Sequence, residues 1–175
     1  MHTMFNFTNK DGYVLRTAKK EDAENYFVNN YCPLDSELVR LTGSKSEYSH
    51  EEVVDFFLKS LEDNDRIFLL LVSPEGNIVG ESVVNELDRN EKSANFRIAI
   101  FHAEHRERGL GTWMTLITRD LAFECFDIEQ LELDVFTFNP RARRVYEKVG
   151  FREMNVVGDT VTMSITRNEW ESLFL

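Results

Sequence analysis

Residues 106–112, RERGLGT, constrain this chain more than any other stretch, because the hydrophobic period changes across them. Before them, apolar residues alternate or run in short blocks bounded by turn residues. After them, Leu110, Met114, Ile117, Leu121 and Cys125 recur three or four apart, which is one stripe of a helix. A glycine inside a helix costs about 1 kcal/mol relative to alanine, so Gly109 and Gly111 at a helix mouth mark backbone that side chains would obstruct. A strand entering a helix through such a loop offers an anion the unpaired N–H groups of the first turn and the positive end of the dipole. Arg106 and Arg108 add charge-assisted donors.

Spacing separates the anion loops. No G-x-x-x-x-G-K-[ST] run exists, and Met114 stands where a dinucleotide fingerprint needs its third glycine. What remains is R-x-x-G-x-G, or, taken alone, a plain turn.

The flanks give the layout. Residues 13–18 alternate as a strand, Thr17 is placed to cap a helix over residues 19–29, and Pro33 breaks the chain before a second helical stretch at residues 34–41. Ser49 and Glu52 form a capping box ahead of Val53, Val54, Phe57, Leu58 and Leu61 at helical spacing. Residues 66–72, 78–88 and 93–101, joined by the turns SPEGN and RNEK, read as an antiparallel meander. Beyond the glycines, the helical stripe ends near Asp127. Leu131, Leu133 and Val135 then alternate with Glu132 and Asp134 in a strand. Asn139 and Pro140 open a last helix that Gly150 ends, and residues 151–157 and 160–166 close as a hairpin. The layout is mixed α/β.

No repeat and no Pro-, Gly- or Ser-rich linker divides the chain, so residues 1–175 are expected to form a single domain. The net charge of −11 argues against nucleic acid as a partner. Residues 102–152 are nearly balanced, 8 basic against 9 acidic, while the remainder is acidic. That suits an anion bound at the loop and a cation drawn elsewhere. The opening residues lack a basic and apolar leader pattern, no run is long enough to span a bilayer, and only 2 cysteines occur. A cytoplasmic protein with no membrane partner is expected.

With NFRIAIF, RERGLGT and LELDVFTFNPRARRVYEKVGF in that order and spacing, the chain resembles the GCN5-related N-acetyltransferase (GNAT) superfamily. Within it, the likeness is to the branch holding ribosomal-protein alanine and polyamine acetyltransferases. The resemblance covers residues 66–157 well and the N-terminal helices loosely. It implies an α+β fold with a mostly antiparallel central sheet of about seven strands and flanking helices. It further implies an enzyme moving the acetyl group of acetyl-CoA to a primary amine by direct attack. The acceptor would be a small polyamine-like amine or a protein or peptide N-terminus.

By the same resemblance the R-x-x-G-x-G loop binds pyrophosphate, which assigns Arg106, Arg108, Gly109, Leu110, Gly111 and Thr112. Backbone of the family's fourth strand pairs with pantetheine, which assigns Ile98, Ile100 and Phe101. Asn139 matches an asparagine that contacts the cofactor arm, and it suits an N-cap equally. Tyr146 matches the tyrosine that protonates the departing thiolate, although its spacing also fits core burial. Arg141, Arg143 and Arg144 either meet the 3′-phosphate or form a solvated face.

An ammonium acceptor must lose a proton before attack. Relatives often carry a glutamate early in the fourth strand, where this chain has Asn95. Asparagine takes no proton but can position a water, and Glu81 and Glu86 on the adjacent strand are the candidate substitutes. The missing glutamate leaves a second reading open, a non-catalytic acyl-CoA-binding or sensing module. The short closing turn at Gly158 and Asp159 suggests an open acceptor site, and a homodimer is a partner the family suggests. His102 and His105 have no further ligands nearby in sequence, so no metal is expected. Cys125 reads as a small buried hydrophobe of the helix, and no nucleophile elbow anchors serine chemistry.

Overall fold

The computed structural model describes residues 3–175; Met1 and His2, which head the segment read as carrying no leader, lie outside the described residues. In chain order the elements are β1 (Asn6–Thr8), β2 (Val14–Thr17), α1 (Ala23–Tyr31), α2 (Ser36–Thr42), α3 (His50–Glu62), β3 (Ile67–Val72), β4 (Ile78–Asp88), β5 (Ser93–Ile100), α4 (Leu110–Cys125), β6 (Gln130–Phe136), α5 (Pro140–Lys148), β7 (Arg152–Val157), β8 (Thr160–Thr166) and α6 (Arg167–Ser172). The strands form one mostly antiparallel sheet of order β1-β2-β3-β4-β5-β6-β8-β7. No helix among the described residues is long and apolar enough to cross a membrane. The residues group into two compact units, 3–83 with 98–106 and 84–97 with 107–175, and β4 and β5 run through both.

In the first unit, β2 pairs with β3 from Val14↔Val72 to Thr17↔Leu69. Its core gathers Tyr26 of α1, Phe57 of α3, Phe68 and Leu70 of β3, Val83 of β4 and Phe101. Burying each such side chain stabilises by roughly 1.5–3 kcal/mol. The capping box at α3 forms as read, Ser49 and Glu52 exchanging bonds with each other's backbone N–H. Gly80 is needed for close approach: a Cβ there would stand 2.7 Å from the Ala99 carbonyl.

Among the described residues the sheet has eight strands, close to the expected seven, because residues 6–8 pair with β2, a strand too short to show a period. Two local expectations change here. Thr17 does not cap α1; its Oγ1 accepts from Phe5 N–H at 2.8 Å. The chain instead enters α1 through a 3₁₀ turn whose Asp22 carboxylate takes Lys19 N–H at 2.8 Å and the Arg16 guanidinium at 2.7 and 2.8 Å. The second helix starts later than read, because Asp35 accepts Leu38 N–H at 2.8 Å and so sets its N-cap.

In the second unit, β5 and β6 pair in parallel over Ser93↔Gln130, Ala94↔Leu131 and Asn95↔Glu132 only, whereas β6 pairs with β8 along its whole length. Alternation divides the sheet into two faces. Leu131↔Ile165, Leu133↔Met163 and Val135↔Val161 are buried pairs on one face. Glu132↔Ser164 and Asp134↔Thr162 lie on the other. The chain also forms α6, which the sequence reading passed over although Thr166 and Glu169 make a capping box. Cys125, expected to be buried, is exposed in the last turn of α4.

Candidate active site

The mouth of α4 is open. Gly109 is its N-cap at φ 75°, with no side-chain cap and no acidic residue in the first turn, while Asp35, Ser49, Asn139 and Thr166 cap other helices with their side chains. The first intrahelical bond runs from Trp113 N–H to the Gly109 carbonyl at 3.1 Å, so the N–H groups of Leu110, Gly111 and Thr112 point out of the helix. Leu110 anchors the turn at 1% exposure. The Thr115 hydroxyl donates to the Gly111 carbonyl at 2.7 Å and fixes that peptide. A Cβ at Gly109 or Gly111 would meet no atom within 4 Å, so the space above this backbone is open to a ligand. The arrangement fits the diphosphate of coenzyme A: uncompensated donors, a positive dipole end and room for direct approach. Arg108 is exposed beside it.

The start of α5 belongs to the same unit. Arg141 donates to Glu107 Oε1 at 3.1 Å, tying the first turn of α5 to the loop before α4. Asn139 Oδ1 accepts Ala142 N–H at 3.2 Å, so this residue serves as an N-cap. Arg143 pairs with Glu153 at 2.6 Å, and Arg144 is exposed. Tyr146, two residues before the end of α5, is 8% exposed. Its ring stands edge-on to Phe96 of β5 at 6.2 Å and near Phe151 at 6.1 Å. Burial pushes its phenol well above the ordinary value, which keeps it protonated and able to donate.

On the polar face of the same unit, Glu86 and Asp88 of β4, Asn95 of β5, Glu132 and Asp134 of β6 and Thr162 of β8 line a groove of about 360 Å³. The Asn95 amide donates to Asn85 Oδ1 at 3.0 Å, which leaves the Asn95 Oδ1 acceptor on the groove. Thr162 Oγ1 donates to Asp134 Oδ1 at 2.7 Å. Glu86 is exposed and sits at φ 53°, a left-handed kink near the end of β4. Sequence reasoning had named Asn95 and Glu86 but missed Asp88, Glu132 and Asp134. For the last two the signal was present, as the outward positions of the alternating strand.

The remaining predicted residues lie in the first unit. Phe101 N–H donates to the Val79 carbonyl of β4 at 2.9 Å. Backbone groups alternate between the edges of a strand, so Ile98 and Ile100 present theirs to the opposite edge, where pairing with β6 has ended at Asn95. Phe101 therefore pairs with β4, and the backbone groups of Ile98 and Ile100 point away from it. Arg106 is turned inward: Nε donates to the Ile100 carbonyl at 3.1 Å, and Nη2 donates to Asp35 at 2.8 Å and the Phe101 carbonyl at 3.0 Å. Burial would raise the Asp35 carboxyl, but the bonds from Arg106 and Leu38 N–H outweigh it and hold the group below its ordinary value. Glu81 is half-buried and accepts the Tyr26 hydroxyl at 2.6 Å. His102 bonds the Asn29 carbonyl at 2.7 Å and His105 bonds Tyr13 at 2.8 Å.

Known proteins are similar to this chain in sequence and in fold. The chain is 30% identical over 107 residues to the spermidine N(1)-acetyltransferase of Vibrio cholerae serotype O1 (strain ATCC 39315 / El Tor Inaba N16961), a match spanning 60% of each protein. In fold it is similar to the crystal structure of spermidine N-acetyltransferase from Vibrio cholerae in complex with CoA and spermine, with TM-score 0.78 and 20% identity over 93% of this chain and 99% of that one. It is similar also to the ribosomal-protein-S5-alanine acetyltransferase from Vibrio fischeri, with TM-score 0.74 and 16% identity over 95% and 98% of the two chains. The acetyltransferase (GNAT) domain model matches residues 13–152, across segments of both units. By that match, which spans most of the chain, the protein belongs to the GNAT acetyltransferase family.

Proposed function

We infer that this protein transfers the acetyl group of acetyl-CoA to a primary amine of a small polyamine-type cation. The observation that carries the acceptor class is the groove in which Glu86, Asp88, Glu132 and Asp134 line one space with Asn95. Carboxylates gathered on one polar face favour an elongated ligand with several ammonium groups over a peptide with a single charged terminus. Family membership and the spermidine acetyltransferase relative support the same choice.

Bound acetyl-CoA supplies an activated thioester; the chain supplies position and proton transfer. The N–H groups of Leu110, Gly111 and Thr112 hold the diphosphate, with Arg108 beside them. Asn139 stands at the head of α5, and Tyr146 donates its proton to the departing sulfur. Groove carboxylates hold the acceptor's ammonium groups. Asn95 orients the amine or a water, and the proton leaves to Glu86, which lines the same groove; the Glu81 variant below tests the alternative base. A binding-only role rests on Asn95 alone, and it gives the buried Tyr146 phenol no task.

Two coarser expectations accompany this reading. The exposed free thiols of Cys32 and Cys125 suit a reducing, cytoplasmic setting. Self-association as a homodimer is a proposal for sedimentation to test. The function itself is tested by incubating the protein with acetyl-CoA and a panel of polyamines, lysine-containing peptides and N-terminal peptides, following free thiol and the mass of each amine. Turnover of polyamines with one acetyl gained supports the reading. Turnover of N-terminal peptides alone would move the acceptor to proteins, and none at all would overturn catalysis.

A further inference from the structure

We propose that Arg119 is a positioning residue that sets the active-site tyrosine, acting through the carbonyl of Val149. This rests on the reading of Tyr146 as proton donor. Arg119 lies on α4 and is only 4% exposed, a placement that arginine tolerates only when its donors are matched. They are matched. Nη1 donates to the Val149 carbonyl, while Nε and Nη2 donate to Asp120 Oδ1 at 2.8 and 2.6 Å. The same Asp120 oxygen accepts the Trp170 indole N–H at 2.8 Å, so α6 braces the guanidinium from behind.

Val149 is where α5 ends. Its N–H donates to the Tyr146 carbonyl at 3.2 Å, and Phe151 N–H donates to that same carbonyl at 3.0 Å. Arg119 thus grips the residue whose own N–H reaches the Tyr146 carbonyl, and the N–H of the gripped peptide, that of Gly150, donates to the Glu147 carbonyl one residue along at 3.1 Å. Gly150 turns the chain at φ 101°, and a Cβ there would stand 3.0 Å from Ile165, so the turn has little room to shift. At the other end of α5 the tie is the exposed pair Arg141–Glu107 at 3.1 Å, which contributes little in water. Of these two polar ties on α5, the buried clamp is therefore the stronger.

A proton donor has to reach its acceptor within hydrogen-bond distance, and a displacement of about 1 Å costs as much as roughly 100-fold in rate. Arg119 is not among the groups assigned to acetyl-CoA or the amine, so its loss should appear in turnover rather than in affinity.

The test is a double-mutant cycle on the full chain. Arg119→Met removes the donors and keeps most of the volume; it should bind CoA with full stoichiometry, hold KM for acetyl-CoA within about twofold, and lose roughly 10- to 100-fold in kcat. Arg119→Lys should recover part of that loss. In a Tyr146→Phe background the same Arg119→Met change should alter kcat by less than about twofold, since the two residues act as one unit. A purely structural arginine would instead lower the folded fraction and leave kcat per CoA-binding site intact. Full kcat in a folded Arg119→Met, or an undiminished loss in the Tyr146→Phe background, overturns the proposal, and so does an unchanged rate in Tyr146→Phe. Should Arg119→Met fail to fold, Arg119→Lys is carried through the same cycle with the same criteria. An inactive wild type would overturn the acetyl-transfer reading itself, whereas an active wild type with additive losses overturns this inference alone.

Discussion

The Tyr26 hydroxyl donates to Glu81 Oε2 at 2.6 Å from a ring that is 2% exposed. Burial first, and then the charge of Glu81, push that phenol well above its ordinary value, so it stays a donor. Tyr26→Phe keeps the ring packing against Phe57 at 4.8 Å and removes only the hydroxyl. A hydrogen bond to a charged group contributes about 1.5–3 kcal/mol, and denaturant unfolding should show a loss in that range. Glu81→Gln decides the base: a lost acid limb in the pH–rate profile assigns Glu81, and an unaltered profile leaves Glu86.

Gly111→Ala should move stability and affinity in opposite directions. The position is helical and its Cβ would meet no atom within 4 Å, so alanine should stabilise the fold by about 0.5–1 kcal/mol. The same methyl would stand in the space proposed for the diphosphate, and losing one charge-assisted bond should weaken binding by about tenfold or more. Calorimetric titration with CoA and a melting curve of the same preparation measure both.

Groove carboxylates should govern KM for the acceptor and leave kcat nearly unchanged. Glu132→Gln and Asp134→Asn each remove one charge from a face that is open to solvent, so a rise in polyamine KM of about 3- to 10-fold is expected at low salt, shrinking as ionic strength rises. Initial rates at two salt concentrations check this, with KM for acetyl-CoA as the internal control.

Acid should weaken the first unit through Asp22. Burial would raise this carboxyl, but hydrogen bonds from Arg16 and from Lys19 N–H outweigh burial and hold it below its ordinary value. A carboxyl lowered in the folded state stabilises above its unfolded pKa of about 3.9 and loses that contribution as pH falls through the folded value. Asp22→Asn should therefore be less stable near neutral pH and fall less steeply below about pH 4. Urea midpoints across that range test the sign.

Where a signal is local, the sequence carried the element nearly to the residue. The Ser49–Glu52 box starts α3, the alternation of residues 131–135 divides the faces of β6, and Gly109 and Gly111 mark the mouth of α4. Such features depend on period, capping chemistry and φ, all set within a few residues. Short or weakly patterned pieces escaped: β1 is too brief to show a period, and the start of α1 was taken from Thr17 by Phe5 N–H, a partner 12 residues away.

The candidate site divides along the same line. The open mouth of α4 is legible because glycine spacing is local. Tertiary structure alone decided that Glu86 and Asp88 of β4 share a groove with Glu132 and Asp134 of β6, that Arg106 turns inward to Asp35, and that Arg119 grips a carbonyl 30 residues away. Those partners are chosen by strand register and helix packing. A carboxylate or guanidinium looks the same in the sequence whether it ends in water, in a groove or against a buried peptide.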